Sequence, residues 1–404
     1  MKHTIVLIEA LTFGLGRMKE AAAEDAELVL LTRDPGVYHF ELANSKSGGL
    51  RVVVCDTFNQ EDLRSKVESL GGVQGIVNST DTWSLIGARL AQDLGLPHTN
   101  IGAVELARNK SKLRNILFDK QLSSGRSVPI QAGDRNIASL LNLLNFPLVL
   151  KDSSGTGSQN VWLIDDAHEF ERLLATLDFS TLRGGLTAEP YFSGTLYSAE
   201  AITWGSITRV IGYTSRVMSP EPTFREEALA LPVLFPEEVV SQLDKWISEV
   251  HRCIGYDAGF THTEFVLTAK GPEIIEVNPR LAGALVGEAL CQAFGVNIYE
   301  AFISCAIGTK PKLMDMTLKA KSGVGQALLY PKVPGVFTGL EGIEKLATHP
   351  GDPRVYYVLE SSSLVEHVND QRGCAAMVLV NGETSEVALL NSLSAASKLR
   401  VKTS

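Results

Sequence analysis

The chain has 404 residues, 45% hydrophobic and 21% charged, with Gly 35 and Pro 16; this balance excludes disordered and low-complexity proteins and leaves material for two or three packed units. A formal net charge of -9 argues against extended binding to nucleic acid or an anionic membrane and favours a small substrate. The five cysteines, Cys55, Cys253, Cys291, Cys305 and Cys374, are odd in number and lack CxxC spacing, so neither a zinc site nor a disulfide framework is indicated, and reduced thiols fit a cytoplasmic location.

The start, MKHTIVLIEALTFGLG, reads as a first strand rather than a signal peptide. No run approaches the roughly 20 apolar residues needed to span a bilayer. Over residues 4–100 the runs TIVLI, ELVLLT, RVVVC and GIVNS alternate with helical patterns, one of them at 81–94. That alternation predicts a parallel sheet flanked by helices. The turn Phe13-Gly14-Leu15-Gly16 follows the first strand as a dinucleotide-binding loop would, but Lys19 stands where a third glycine belongs. A tight turn before a helix is the other reading.

A helix is expected over 109–120, then a polar connection, a strand over 146–151, the loop DSSGTGS and the return strand NVWLI. Free backbone donors beside Lys151 would make an anion site, although such loops also serve as plain connections. A strand pair is expected from 186–191 and 197–203, a helix over 237–253, and beyond Pro311 a smaller capping unit with strands at 354–358 and 375–380. The stretch SRVMSPEPTFREE offers Arg216 and Arg225 as carboxylate clamps, and its composition equally suits a surface loop.

Residues 261–280, THTEFVLTAKGPEIIEVNPR, alternate as a hairpin. Thr263, Phe265, Leu267, Ile275 and Val277 would share an apolar face, with His262, Glu264, Glu276 and Asn278 on the other. A turn over Lys270 and Gly271 sets Glu264 opposite Glu276 and His262 opposite Asn278. Like charges facing across strands are destabilising. Such a pair suits a divalent cation held by oxygen ligands, of which magnesium is the natural choice; a solvated acidic face is the alternative.

Asn109-Lys110, the strand ending in Lys151, the Gly/Ser loop, Glu189-Pro190-Tyr191-Phe192 and the hairpin ending Glu276-Val277-Asn278-Pro279-Arg280 occur in one order. That order resembles the ATP-grasp superfamily of carboxylate-amine ligases over roughly residues 1–310. The tail is similar to the C-terminal subdomain of the biotin carboxylase-like and L-amino acid ligase branches. The resemblance implies an α/β protein with a Rossmann-like pre-ATP-grasp parallel sheet (1–105), ATP-grasp α+β subdomains (106–310) and a smaller C-terminal α/β subdomain (311–404).

It also implies ATP with Mg2+, or Mn2+, as cofactors. Lys110 and Lys151 match phosphate-binding lysines, Ser154, Gly155, Gly157 and Ser158 the phosphate-covering loop, and Glu189, Tyr191 and Phe192 the adenine-reading hinge. Glu264, Glu276 and Asn278 fall on the metal ligands and Arg280 on the arginine that meets the transferred phosphate or substrate carboxylate. His262 is offered as a catalytic base. Family members often carry a ribose-binding acid seven or eight positions after the hinge glutamate, where this chain has Leu196 and Tyr197; Glu200 is the substitute on offer. After NPR many relatives show several glycines, and here Leu281-Ala282-Gly283-Ala284 stands instead.

The implied reaction joins a small carboxylate, an amino acid or related acid, to an amine through an acylphosphate. Neither nucleic acid nor membrane is an expected partner, and homodimers are common in similar proteins. Other readings are a bicarbonate- or formyl-using ligase or carboxylase, a nucleotide-binding regulatory protein without turnover, and, more remotely, a nicotinamide oxidoreductase.

Overall fold

The computed structural model describes residues 3–22, 26–43, 50–131, 133 and 143–404. The four apolar runs at the start form parallel strands β1 (His3–Ile8), β2 (Ala26–Thr32), β3 (Arg51–Val54) and β4 (Val73–Val77), in the order β3-β2-β1-β4. Both faces of this sheet are covered, as its continuous apolar strands require. Val6, Ile8, Val29 and Leu31 pack with Leu63 and Val67 of the helix Gln60–Leu70. Ile5, Leu7, Leu28 and Leu30 join a second core containing residues of the helices Val286–Phe294 and Glu300–Ala306.

The glycine turn after β1 is filled by the protein's own groups. Gly14 has φ +105, and a Cβ there would lie 2.4 Å from the Tyr299 ring. The Gly16 N–H donates to Glu41 Oε2 at 3.0 Å. Close packing and a left-handed backbone account for Gly14.

Of the expected polar connection after the helix Lys110–Asp119, residues 132 and 134–142 lie outside the described residues, and β5 (Val128–Ile130) forms within the rest. With β6 (Leu148–Asp152), β7 (Val161–Ile164) and β8 (Leu186–Pro190) it makes an antiparallel sheet ordered β5-β8-β6-β7. The central sheet contains β9 (Thr195–Trp204), β10 (Ile207–Met218), β11 (Glu226–Leu231), β12 (Ala258–Thr268), β13 (Gly271–Asn278), β14 (Gly323–Leu329), β16 (Arg354–Tyr357) and β18 (Ala376–Gly382). Its order is β13-β12-β9-β10-β11-β14-β18-β16. A small third sheet, ordered β17-β15-β19, joins β15 (Gly335–Glu341), β17 (Leu364–Val365) and β19 (Arg400–Thr403).

One expectation about pairing is corrected. The strands predicted at 186–191 and 197–203 do not pair with each other: β8 lies between β5 and β6, while β9 lies between β10 and β12. Their apolar faces serve different cores. Leu186 and Ala188 pack with Leu148, Leu150 and Phe170, whereas Ala199 and Ala201 pack with Leu243, Ile247 and Phe265. The segment between them therefore passes from one sheet to the other. Of the tail strands, expected to form a smaller capping unit, β14, β18 and β16 continue the central sheet, because β14 pairs with β11 through Ala228↔Ala327 and its neighbours, while β15, β17 and β19 make the small third sheet.

The helix Glu237–Ile254 buries Leu243, Ile247, Val250, His251 and Ile254, one stripe at helical spacing, and ends at Gly255 with φ +74. His251 is fully buried, its ring nitrogens 3.3 Å from Thr208 Oγ1 and 3.1 Å from Thr263 Oγ1. Burial pushes the ring down from 6.5 to about 3. Below pH 6.5 the unfolded chain takes up a proton that the folded chain refuses, so this histidine's contribution to stability is present above 6.5 and is lost as pH falls toward 3. Between pH 7 and pH 5, wild type is expected to lose about 2 kcal/mol more unfolding free energy than His251→Gln. Urea denaturation at the two pH values checks this; equal losses would contradict it. Among the described residues no helix is long and apolar enough to cross a membrane.

Candidate active site

The hairpin register agrees with the expected facing pairs: His262↔Asn278, Thr263↔Val277 and Glu264↔Glu276 are Cα partners. A bulge after Glu264 then pairs Phe265 with Ile274 rather than Ile275. Ile275, placed by alternation on the apolar face, lines the cleft instead. The turn is Ala269-Lys270, since Thr268 already pairs with Gly271.

Glu276 Oε1 accepts from Asn278 Nδ2 at 2.8 Å, and its Oε2 lies 2.9 Å from Lys110 Nζ. Glu264 Oε1 lies 2.9 Å from His262 Nε2. Both carboxylates sit below the ordinary range. Burial opposes ionisation of each; Arg216 outweighs it at Glu264, and Lys110 with Asn278 outweighs it at Glu276, although the two glutamates repel each other. No cluster of three His, Cys, Asp or Glu side chains suited to a metal exists among the described residues. Two facing carboxylates and a neighbouring amide, all with oxygen donors, nonetheless fit the oxygen-only preference of a hard cation such as magnesium.

His262 does not suit the base role. Its Nδ1 is 2.6 Å from Glu200 Oε1 and its Nε2 is 2.9 Å from Glu264 Oε1, so both ring nitrogens are engaged. Burial works against the charged ring, but Glu200 and Glu264 prevail and raise it to about 9. Glu200 is likewise corrected as a ribose acceptor: it is fully buried, with Oε1 on His262 and Oε2 accepting from the Ala282 N–H at 3.0 Å. Tyr197 turns away from the cleft and packs against Phe235 and Phe265.

Lys110 opens its helix, whose Asn109 cap accepts from the Lys112 N–H at 3.0 Å. Lys110 Nζ also donates to Gly155 O at 2.5 Å. One turn on, Arg114 meets Glu189 Oε2 at 2.8 Å, and Lys151 Nζ meets the same oxygen at 2.7 Å. In this buried triad, burial opposes the Glu189 charge, yet Arg114 and Lys151 hold the carboxyl below its usual range. Lys151 is pushed down, first by burial and further by Arg114 and Lys110. Glu189 Oε1 is buried with no partner among the described residues and Glu189 lines the cleft, leaving that oxygen as a free acceptor.

The Gly/Ser loop is organised by Asp152, which sequence reasoning missed. Its carboxylate accepts from the N–H groups of Ser154 at 3.0 Å, Arg183 at 2.7 Å and Gly184 at 2.9 Å. Gly157, Ser158 and Asn160 all have φ between +55 and +64, a run of left-handed positions that bends the loop back over the cleft. Gly155, Gly157 and Ser158 line the cleft; Ser154, expected with them, does not, and its hydroxyl lies toward Gly184.

These elements enclose a cavity of about 570 Å³ between the β5-β8-β6-β7 sheet and the central sheet. Tyr191, Phe192, Arg216 and Arg280 are among the residues that line it. Arg216 Nη1 pairs with Glu226 Oε1 at 2.6 Å, and its Nη2 is 3.3 Å from both Ser198 Oγ and His262 Nε2. Its Nε is buried without a partner among the described residues. Arg225 is used structurally: it pairs with Glu227 at 2.6 Å, donates to Val368 O and lies over Tyr330. Arg280 Nε and Nη2 both reach Asp81 Oδ2 at 2.5 Å, and Asp81 begins the helix Asp81–Asp93 after β4. No local signal joins Asp81 to Arg280, 199 positions away.

A parallel N-terminal sheet, a lysine-lined cleft between two antiparallel sheets and an acidic hairpin at its edge define an ATP-grasp fold. A model for the ATP-grasp domain matches residues 144–288, and one for the L-amino acid ligase C-terminal domain 2 matches residues 327–404. The chain thus carries an ATP-grasp domain and an L-amino acid ligase C-terminal domain, and is an ATP-binding enzyme related to the carboxylate-amine ligases. It is 27% identical over 372 residues to an uncharacterized protein, y4rH, of Sinorhizobium fredii, covering 88% of this chain and 74% of that one. Carnosine synthase 1 of Homo sapiens is 24% identical over 264 residues, 60% of this chain and 31% of its own length. The chain thus spans under a third of that relative. The crystal structure of an L-amino acid ligase from Bacillus licheniformis superposes with a TM-score of 0.82 at 19% identity, covering 100% of this chain and 99% of that one.

Proposed function

We propose that the protein is an ATP-dependent ligase that joins the carboxylate of an amino acid or a related small acid to an amine. The observation that carries this reading is the convergence, in one cleft, of Lys110, Lys151, the Gly155–Ser158 loop, the Glu264/Glu276 pair and Arg280. The resemblance to the L-amino acid ligase C-terminal domain supports an amino acid as one partner.

Lys110 and Lys151 would hold the phosphates as point charges, with loop N–H groups above them. Glu189 Oε1, which has no partner among the described residues, would accept from the exocyclic amine of adenine, and Tyr191 and Phe192 would border the base. Glu264, Glu276 and Asn278 would hold magnesium, which neutralises phosphate charge during transfer. The carboxylate oxygen attacks the γ-phosphorus to give an acylphosphate and ADP. The amine nitrogen then attacks the acyl carbon, releasing phosphate, and the net change is carboxylate, alkylammonium and ATP to amide, ADP, phosphate and one proton. Arg280 stabilises the phosphoryl oxygens, while Arg216 Nε is free to meet the substrate carboxylate. The cleft is also lined by Leu229, Val286, Leu328, Val358 and Met377, a lining that fits an apolar side chain.

Phosphate release from Mg·ATP, measured against amino acids singly and in pairs with mass spectrometry of the products, tests the reading. Pair-dependent release with a product one water lighter than its parents is expected. Bicarbonate-dependent release, or ATP binding with no release across the panel, would overturn it.

Asp81 is a positioning residue in this scheme, acting through Arg280. Asp81→Asn is expected to lower kcat about tenfold with little change in KM for ATP, because a neutral amide holds the guanidinium more weakly. Asp81→Glu should recover part of the rate; equal loss in both variants with an altered unfolding midpoint would make the contact merely structural.

A further inference from the structure

The cleft poses a chemical problem at its hinge end that the catalytic residues leave unsolved. A nucleotide with its phosphates on Lys110 and Lys151 and its base beside Tyr191 and Phe192 puts its sugar between them. The two ribose hydroxyls there are donors that need acceptors. Leu196, which lines the cleft, has no side-chain acceptor, and Glu200 is consumed in the core.

The turn joining β10 to β11 supplies a carboxylate from far away in sequence. It is braced by its own bonds: the Ser219 N–H donates to Arg225 O at 2.7 Å, Ser219 Oγ donates to Thr223 O at 2.9 Å, and the Arg225 N–H returns to Ser219 Oγ at 3.1 Å. Arg225 is itself anchored on Glu227 and Val368 O, so the turn is fixed at its base. Its tip presents Glu221 to the hinge, where Oε1 accepts from the Tyr191 hydroxyl at 2.5 Å. Glu221 Oε2 takes no hydrogen bond from a described residue, and Glu221 lines the same cleft as Leu196 and Tyr191.

We infer that Glu221 is the residue that recognises the ribose hydroxyls of the nucleotide, held in place by Tyr191. A carboxylate offers both hydroxyls acceptors in one plane, and hydrogen bonds to a charged acceptor are the strong kind. Tyr191 fixes one oxygen and leaves the other without a partner, so the pair works as one unit contributed by the segment after β8 and by the β10–β11 turn, whose strands belong to different sheets. This assignment rests on the reading of the cleft as an ATP site and adds the means by which it tells a ribonucleotide from a deoxynucleotide.

Calorimetric titration of ATP, 2′-deoxy-ATP and 3′-deoxy-ATP into wild type, Glu221→Ala and Tyr191→Phe tests it. Wild type should bind ATP about tenfold to a hundredfold more tightly than at least one deoxynucleotide. Glu221→Ala should bind all three alike, near the wild-type affinity for the weaker deoxynucleotide, and Tyr191→Phe should fall between. Discrimination that persists undiminished in Glu221→Ala, or its absence from wild type with ATP still bound, would overturn the inference alone. Failure of wild type to bind any of the three would overturn the ATP-site reading beneath it as well.

Discussion

Glu276→Gln is expected to lower kcat/KM by at least about 10²-fold, because outer-shell partners of a metal already cost tenfold to a hundredfold when lost and this carboxylate would be a direct ligand. The fold should persist. The substitution removes the partner of Lys110, but it also relieves the repulsion between Glu276 and Glu264 across the strand pair, so the two effects on stability oppose each other. Magnesium titration of the rate gives the sharper reading. The residual activity of Glu276→Gln should need more magnesium than wild type, and Glu264→Gln should behave alike. Unchanged magnesium dependence in both variants would remove the hairpin from the metal site.

Glu189→Ala should act chiefly on stability, with an expected loss of about 3–5 kcal/mol. Glu189 is the common partner of Arg114 and Lys151, and the three side chains are 3%, 2% and 8% exposed. Deleting the acid leaves two buried cations side by side without compensation. Replacing all three by apolar residues of similar volume should regain most of the loss while abolishing nucleotide binding, since the buried charges serve the site more than the fold. Urea denaturation of the single and triple variants checks both statements. An unfolding midpoint for Glu189→Ala equal to that of wild type would contradict the account of the triad.

The parts of the fold that could be read in the sequence were those governed by short periods. Alternation placed Glu264 opposite Glu276 because both residues lie in one hairpin, where side chains repeat every two positions. It misplaced Ile275 because a bulge shifts the count by one and a bulge has no alternation of its own. The helices at 81–94, 109–120 and 237–253 form within a residue or two of their expected ends, since caps and apolar stripes are local signals.

Pairings set by distant strands could not be read. Consecutive strands are most often neighbours, and that tendency misled at β8 and β9, which lie in separate sheets. The same limit applied to the site. Lys110, Lys151 and the acidic hairpin stood out by residue type and order, whereas Asp81, Asp152, Glu221 and Glu226 reach the cleft or brace it through contacts that only the folded chain makes. His262 shows the reverse error. An imidazole near carboxylates suggests a base when its position alone is known, but a carboxylate against each ring nitrogen favours the charged ring and leaves neither nitrogen open to take a proton from substrate.

The most direct test of the central claim follows an oxygen atom. A carboxylate substrate labelled with ¹⁸O, incubated with the enzyme, Mg·ATP and the amine, should deliver one labelled oxygen to the released phosphate, because the attacking carboxylate oxygen leaves with phosphorus when the amine displaces it. Mass spectrometry of the phosphate reads the outcome. Label in phosphate at one atom per turnover is the predicted result; turnover that leaves the phosphate unlabelled would contradict carboxylate activation by phosphoryl transfer.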